Sequence, residues 1–291
     1  MLRRSLSRAR RGVPHARLLC AASERLRSAA SEPVARKVSV NGVDLHCVSN
    51  GNGHALLCMP GALGTAETDF GPQLRGLADA FEVVSFDPRG YGQSRPPRRE
   101  FPVDFYQQDA HDAAELMRSL GHERYSVMGW SDGAISAVHL AASRPEHVEN
   151  LLIFGGNGYF SQADIDAFEA TRDVETNWSK RMKETHRPTY GDDLQPMWDR
   201  AVDAWAAIYK ERGGDVCRAE AKTIRCRTLV AHGAKDPMCL EEHPHWFAEN
   251  IPGCTQPPRI FPEGKHNLHL RFADEFNEMV RHFIAPASPT P

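Results

Sequence analysis

The sequence predicts an α/β protein: a mostly parallel sheet flanked by helices, with a helical cap inserted into it. Three observations support this fold class. Short apolar runs typical of buried strands alternate with segments of helical periodicity. A strong hairpin signal precedes these runs, and one long stretch contains no strand pattern at all. The alternation favours parallel pairing because parallel neighbours need a long crossover connection, which is usually a helix.

The predicted hairpin opens the sheet. Val38–Val40 and Leu45–Val48 flank Asn41-Gly42, a dipeptide typical of two-residue turns. Helical segments such as Gln107–Leu120 separate the later apolar runs. The remaining six strands are predicted at Ala55–Met59, Val83–Phe86, Tyr125–Met128, Leu151–Phe154, Thr228–Ala231 and Arg259–Phe261.

Residues 158–215 interrupt this alternation. They contain tryptophans and tyrosines among many charges, without a strand pattern. We interpret them as a helical cap over the site, between core segments 37–157 and 216–285; ordinary surface helices are the alternative. Residues 286–291 are rich in proline and are predicted to be a disordered tail.

The first 36 residues differ from the rest in composition. They contain nine arginines, two acids and many serines and alanines, which is typical of a mitochondrial presequence. A disordered basic tail is the alternative interpretation. This segment carries a charge of +7, so the remaining residues carry −10 of the net −3. A body this acidic is a poor candidate for binding nucleic acid.

Composition narrows the class further. The chain is 41% hydrophobic and 25% charged, as in ordinary globular proteins. Its apolar runs fall short of the roughly 20 residues of a membrane span, so we expect no membrane segment. Seven scattered cysteines lack C-x-x-C spacing, which indicates reduced thiols rather than a disulfide framework or a zinc site. We therefore expect no bound metal. We also expect a monomer.

The segment Gly129–Gly133 has the pattern G-x-S-x-G, which places a serine on a sharp turn between a strand and a helix. The flanking runs Tyr125–Met128 and Ala134–Ser143 suit that context. Ser131 is the candidate nucleophile. If Asp132 attacked instead, the position two before it, which must be small, would hold Trp130. An incidental loop is the alternative.

A nucleophilic serine needs a histidine base, and the base needs an orienting acid. In proteins with this turn, the acid and then the histidine follow the serine, each in a loop after a late strand. Asp236 and His266 match both the order and the positions. Three other histidines fit less well, since His269 is predicted to begin the final helix, His232 to lie at a strand end, and His111 to lie within a helix.

Acyl transfer also needs two backbone N–H donors for the oxyanion. One candidate is the N–H of Asp132, directly after the serine. The second should come from the loop Pro60–Gly64, where Ala62 follows Gly61. A plain turn is the alternative interpretation of this loop.

Five segments make the chain resemble the valacyclovir hydrolase, or biphenyl hydrolase-like, proteins of the α/β-hydrolase superfamily. They lie within residues 38–284 and are Val40–Val43, Glu67–Leu74, Asp87–Pro97, Gly129–Gly133 and Pro262–Asn277. The resemblance implies a mitochondrial serine hydrolase acting on α-amino acid esters. It also implies a triad of Ser131, Asp236 and His266, with Asp132 recognising the amine.

Asp132 narrows the prediction from a general hydrolase to a substrate class. An α-ammonium lies one carbon from the carbonyl that Ser131 attacks, so a carboxylate on the next residue can reach it. The ordinary alternative is an acidic residue at a helix start. We expect an acyl-enzyme mechanism with no metal or organic cofactor.

Three other functions stay open on the sequence. A C–C bond hydrolase of ring-fission products would share the triad but prefer anionic substrates, which Asp132 disfavours. A cofactor-free haloperoxidase-like enzyme would depend on peroxide. A non-catalytic binding module on the same fold would be expected to lack a triad member, and all three are present.

Overall fold

The computed structural model describes residues 32–285. The predicted leader up to Ser31 and the predicted tail 286–291 lie outside this range. The first strand begins at Val34, three residues before the predicted start of the core at residue 37. Residues 34–36 therefore belong to the sheet, where Ala35 and Arg36 pair with Val48 and Cys47.

One eight-stranded sheet forms the centre of the described residues, in the order β1-β2-β4-β3-β5-β6-β7-β8. The pairs β1/β2 and β2/β4 are antiparallel, and every other neighbouring pair is parallel. The predicted fold class is therefore confirmed. The strands are β1 Val34–Val40, β2 Val43–Asn50, β3 His54–Met59, β4 Phe81–Phe86, β5 Tyr125–Trp130, β6 Val148–Phe154, β7 Arg227–Gly233 and β8 Arg259–Phe261.

The connections between the parallel strands contain helices, as the crossover geometry of parallel pairs requires, and the last two helices follow β8. The helices are α1 Ala66–Gly76, α2 Phe105–Ser119, α3 Asp132–Ser143, α4 Gln162–Glu169, α5 Val174–Asn177, α6 Lys180–Tyr190, α7 Leu194–Arg212, α8 Arg218–Ala221, α9 Glu242–Asn250, α10 Leu268–Arg271 and α11 Ala273–Ile284.

Apolar side chains cover both faces of the sheet. Successive side chains of a strand point to opposite faces, so a continuous apolar strand contributes to both. In β3, Leu57 and Met59 pack on the face covered by α2 and α3. Leu56 and Cys58 pack on the face covered by α1 and α11. Burial on both sides explains why the strands are continuous apolar runs rather than alternating ones.

The stretch between β6 and α8 is the interruption seen in the sequence. It contains α4 to α7 and a short 3₁₀ turn, without a ladder strand. Tyr159 and Asp215 form an isolated antiparallel bridge at its base, and the N–H of Phe160 donates to the carbonyl of Gly214 at 2.7 Å. The two ends of the segment are thereby tied together where they meet the sheet.

Two further expectations concern the whole chain. Within residues 32–285, none of the helices combines the length and the apolar character that crossing a membrane would require. The six cysteines of this range are free thiols.

Candidate active site

The turn after β5 holds Ser131 in a strained backbone conformation, with φ of +57°. The glycines of the motif make this turn possible. A Cβ on Gly129 would collide with the carbonyl of Gly133, and a Cβ on Gly133 would collide with the carbonyl of Met59. The turn projects Ser131 beyond the carboxyl end of β5, the edge where ligands bind in open parallel sheets.

Three side chains from different loops meet at this edge. His266, in the loop after β8, places Nε2 3.0 Å from the Oγ of Ser131. Its Nδ1 lies 2.8 Å from Oδ2 of Asp236, in the loop after β7. A carboxylate beside Nδ1 favours the tautomer that carries the proton there, so Nε2 is left to accept the hydroxyl proton of Ser131.

The electrostatics of the pair suit a base and its orienting acid. Asp236 has no exposed side-chain surface and also accepts the N–H groups of Met238 and Cys239, at 2.8 and 3.1 Å. Burial acts to raise the pKa of Asp236, but the imidazole and these donors outweigh it and lower the pKa. Burial acts to lower the pKa of His266, and the Asp236 carboxylate outweighs that effect and raises it.

The loop after β3 lies directly against the serine. A Cβ on Gly61 would be 3.1 Å from the Cβ of Ser131. The N–H of Gly61 donates to Oδ2 of Asp69 at 2.9 Å, so it is already engaged. The N–H groups of Ala62 and Asp132 have no acceptor among the described residues. These two donors are therefore available to an oxyanion.

Asp69 holds the loop after β3 in place through its hydrogen bond with Gly61. It is buried, and the hydroxyl of Thr68 donates to its Oδ1 at 2.8 Å. Burial raises the pKa of Asp69 to about 7. A Cβ on Gly64 would collide with this carboxylate, so the loop can wrap closely around it only with glycine there.

Asp132 presents its two carboxylate oxygens to different surroundings. Oδ1 accepts the hydroxyl of Tyr106 at 2.9 Å. Oδ2 is buried and has no hydrogen-bond partner among the described residues. Burial raises the pKa of Asp132 to about 7.

A cavity of about 100 Å³ lies between Ser131 and the inserted helices. Ser131, Asp132 and His266 line it on the sheet side, and aromatic residues close it on the other side. Its lining includes Trp178, His186, Trp198 and Trp205 of the inserted segment.

A separate cluster offers three metal-ligand types: Asp164, Glu242 and His243. Both carboxylate oxygens of Asp164 are already engaged, whereas Nδ1 of His243 is buried without a hydrogen-bond partner among the described residues. Nε2 of His243 lies 2.9 Å from Oδ1 of Asp164, and Oδ2 of Asp164 accepts from Ser161. The pair links the inserted segment to α9 and is explained as a structural contact.

Comparison with known proteins agrees with this geometry. Residues 54–273, three quarters of the chain, match the α/β-hydrolase fold family. The chain belongs to this family. It is 43% identical to human serine hydrolase BPHL and 42% identical to the mouse protein, over 251 residues and 85% of each chain. These similarities support hydrolase activity and the resemblance to the biphenyl hydrolase-like proteins.

Solved structures of α/β hydrolases share the fold. A 2-hydroxy-6-oxo-6-phenylhexa-2,4-dienoate hydrolase from a Rhodococcus species superposes with a TM-score of 0.73 at 16% identity, covering 88% of this chain and 99% of that one. An enol-lactonase from Burkholderia xenovorans superposes with a TM-score of 0.68 at 21% identity, covering 86% and 100%. At these identities the likeness concerns the fold.

The three other histidines considered for this α/β hydrolase make no contact with the serine hydroxyl. His269 is buried in the separate short helix α10 rather than at the start of the final helix, and its Nε2 lies 2.8 Å from the carbonyl of Asp69. Burial lowers its pKa to about 3, so it stays neutral. His232 is buried in β7, and Nδ1 of His111 lies near Asn41 on the surface.

Sequence reasoning missed several residues that shape the site of this α/β hydrolase. Nε1 of Trp130, within the motif, donates to the carbonyl of His266 at 2.8 Å and thereby fixes the histidine loop. Asp69 holds the loop that contains Ala62. Tyr106 holds Asp132. These contacts join distant parts of the chain, and no local pattern indicates them.

Proposed function

We propose that this chain is a serine hydrolase that cleaves α-amino acid esters through an acyl-enzyme intermediate. The observation that carries this proposal is the unpaired Oδ2 of Asp132, buried beside the nucleophile in a cavity with aromatic walls. A buried carboxylate oxygen without a partner is costly unless a ligand supplies one. A substrate ammonium would do so with a charge-assisted hydrogen bond.

In the proposed reaction, His266 removes the hydroxyl proton of Ser131 as Oγ attacks the ester carbonyl. The N–H groups of Ala62 and Asp132 stabilise the oxyanion. The tetrahedral intermediate collapses, the C–O bond to the alcohol breaks, and His266 gives its proton to the departing oxygen. Water then repeats these steps on the acyl-enzyme and releases the amino acid. The steps call for no metal or organic cofactor.

Amine recognition follows from the position of Asp132 in the same turn. Its backbone N–H serves the oxyanion while its side chain faces the cavity, so the carbonyl and the α-nitrogen of one substrate are held by one residue. The faces of the surrounding indoles also suit a cation. A substrate with a carboxylate near the reacting carbon would instead be repelled, which argues against C–C hydrolysis of anionic ring-fission products.

Asp132→Asn is expected to lose activity selectively toward esters with a free α-amino group. The fold and the backbone N–H are retained, whereas a charge-assisted hydrogen bond is lost. That loss is worth about 1.5–3 kcal/mol, or roughly ten- to a hundredfold in kcat/KM. The measurement is kcat/KM for a p-nitrophenyl amino acid ester and for its N-acetyl analogue.

The N-acetylated ester is the internal control because it carries no ammonium. General damage to the turn would lower kcat/KM for both substrates together. An equal loss on the two esters would therefore contradict amine recognition and leave Asp132 as a residue of the helix start.

We also propose that the arginine-rich leader directs the protein to mitochondria. A reporter fused to residues 1–33, which end before β1, should co-localise with mitochondria by fluorescence microscopy. The matched control carries the same segment with its arginines replaced by glutamine. Cytosolic residence of the unaltered fusion would leave the basic-tail interpretation.

A further inference from the structure

A chain of two hydrogen bonds connects the inserted helices to Asp132. Nε1 of Trp205, in α7, donates to the hydroxyl oxygen of Tyr106 at 3.0 Å. The hydroxyl of Tyr106, in α2, donates to Oδ1 of Asp132 at 2.9 Å. Both aromatic side chains are buried, with 3% and 1% of their surface exposed. Water is thus kept away from the connection.

The direction of these bonds is fixed by chemistry. An indole N–H is only a donor, so the Tyr106 oxygen must accept from Trp205. The single phenol proton is then free to point only toward Asp132. A donor held in this direction stabilises the ionised carboxylate more than the protonated acid.

Burial of Asp132 opposes this hydrogen bond, because burial disfavours the ionised carboxylate. Burial raises the pKa of Asp132 and the Tyr106 hydrogen bond lowers it, and with the charged neighbours included the pKa is about 7. The carboxylate is therefore balanced near neutral pH between a protonated form, which cannot pair with an ammonium, and an ionised form, which can.

Resting on the proposed function, we infer that Tyr106, oriented by Trp205, is a positioning residue that favours the ionised form of Asp132 and, by occupying Oδ1, leaves Oδ2 for the substrate ammonium. Tyr106 does not touch the reacting atoms. Its role is to set the range of pH over which amine recognition operates.

The other charged groups near Asp132 make no hydrogen bond with the Tyr106 hydroxyl, so Tyr106→Phe removes none of their contacts. Arg99 lowers the pKa of Asp132 and Asp109 raises it, and these two form a buried bidentate pair at 2.7 Å. His266 faces Asp132 from the loop after β8 and lowers its pKa. His186 lines the same cavity from α6, and burial lowers its own pKa to about 4, so it stays neutral.

The test is the pH dependence of amine selectivity in Tyr106→Phe. Selectivity is the ratio of kcat/KM for a free α-amino ester to that for its N-acetyl analogue, measured from pH 5.5 to 9 and divided by the wild-type ratio at the same pH. Titration of the substrate amine is identical for both enzymes and cancels.

Loss of the phenol hydroxyl should raise the pKa of Asp132 by on the order of one unit. The normalised selectivity should then fall roughly fivefold at pH 7 and roughly tenfold at pH 6, and return toward one above pH 8.5. Trp205→Phe should shift the profile in the same direction by less, because the phenol stays but loses its orienting donor. Tyr209→Phe, which removes a hydroxyl from the same helix α7, is the matched control and should leave the profile unchanged.

A pH-independent loss in Tyr106→Phe, or an unchanged profile, would overturn the inference. Asp132→Asn is measured alongside to separate the two proposals. If Asp132→Asn loses selectivity while Tyr106→Phe keeps the wild-type profile, only the role of Tyr106 fails. If Asp132→Asn keeps full selectivity, the proposed amine recognition fails.

Discussion

Ser131→Ala is expected to abolish ester hydrolysis without unfolding the protein. The substitution removes one oxygen atom, whose partner in the structure is Nε2 of His266. The turn glycines are unchanged, and we expect alanine to adopt the same backbone conformation, with φ near the +57° of Ser131. Loss of the nucleophile in a Ser-His-Asp triad costs on the order of a millionfold in kcat. The measurement is kcat on an α-amino acid ester together with a thermal unfolding curve.

Ser143→Ala is the matched control for this variant, since it removes a serine hydroxyl at the other end of α3. The Ser143 hydroxyl donates to the carbonyl of Leu140, far from the cavity lining. Its kcat should equal that of the wild type. Substantial turnover by a folded Ser131→Ala protein would rule out the acyl-enzyme mechanism.

Asp236→Asn is expected to lower kcat by roughly ten-thousandfold, because the amide no longer holds the His266 tautomer that leaves Nε2 free. It should also move the pH dependence of the residual activity. In the wild type, the Asp236 carboxylate outweighs burial and raises the pKa of His266. Without it, burial dominates and the pKa falls. Since the base must be neutral, the loss of kcat/KM on acidification should begin at a lower pH than in the wild type.

Glu263→Gln provides the control for a removed carboxylate near the same loops. Its side chain is exposed and pairs with Lys235 on the surface. This variant should keep the wild-type rate and pH profile. If kcat/KM of Asp236→Asn falls on acidification over the same pH range as in the wild type, a group other than Asp236 controls the ionisation of His266.

The fold of this chain was accessible from sequence because its signals are local. Asn41-Gly42 determines a turn from two residues, and Leu56–Met59 is apolar throughout because both faces of β3 are covered. Ser131, Asp236 and His266 could be selected for a related reason. The loops that follow parallel strands lie at the same edge of the sheet. A residue found shortly after a predicted strand can therefore be placed at that edge from the sequence alone.

The hydrogen bonds that hold Asp132 in place could not be predicted in the same way. Tyr106 lies 26 positions before Asp132, and Trp205 lies 99 positions after Tyr106. Within α2, Tyr106 looks like any apolar residue of a core-facing helix. Its hydroxyl meets Asp132 and Trp205 only because three separate helices pack together, and helical periodicity carries no information about that packing.

The bridge between Tyr159 and Asp215 gives the inserted segment a modular attachment. More than fifty residues lie between these two positions, and the two ends of the segment are as close together as paired strands of a hairpin. The entropy of closing such a loop grows only slowly with its length, so we expect this architecture to accept a segment of different size in its place. Exchange of the segment would change the roof of the cavity while the loops of Ser131, Asp236 and His266 kept their supports in the sheet. Such an exchange would also remove Trp205 and with it the hydrogen bond to Tyr106, so under our inference the charge of Asp132 would change together with the cavity.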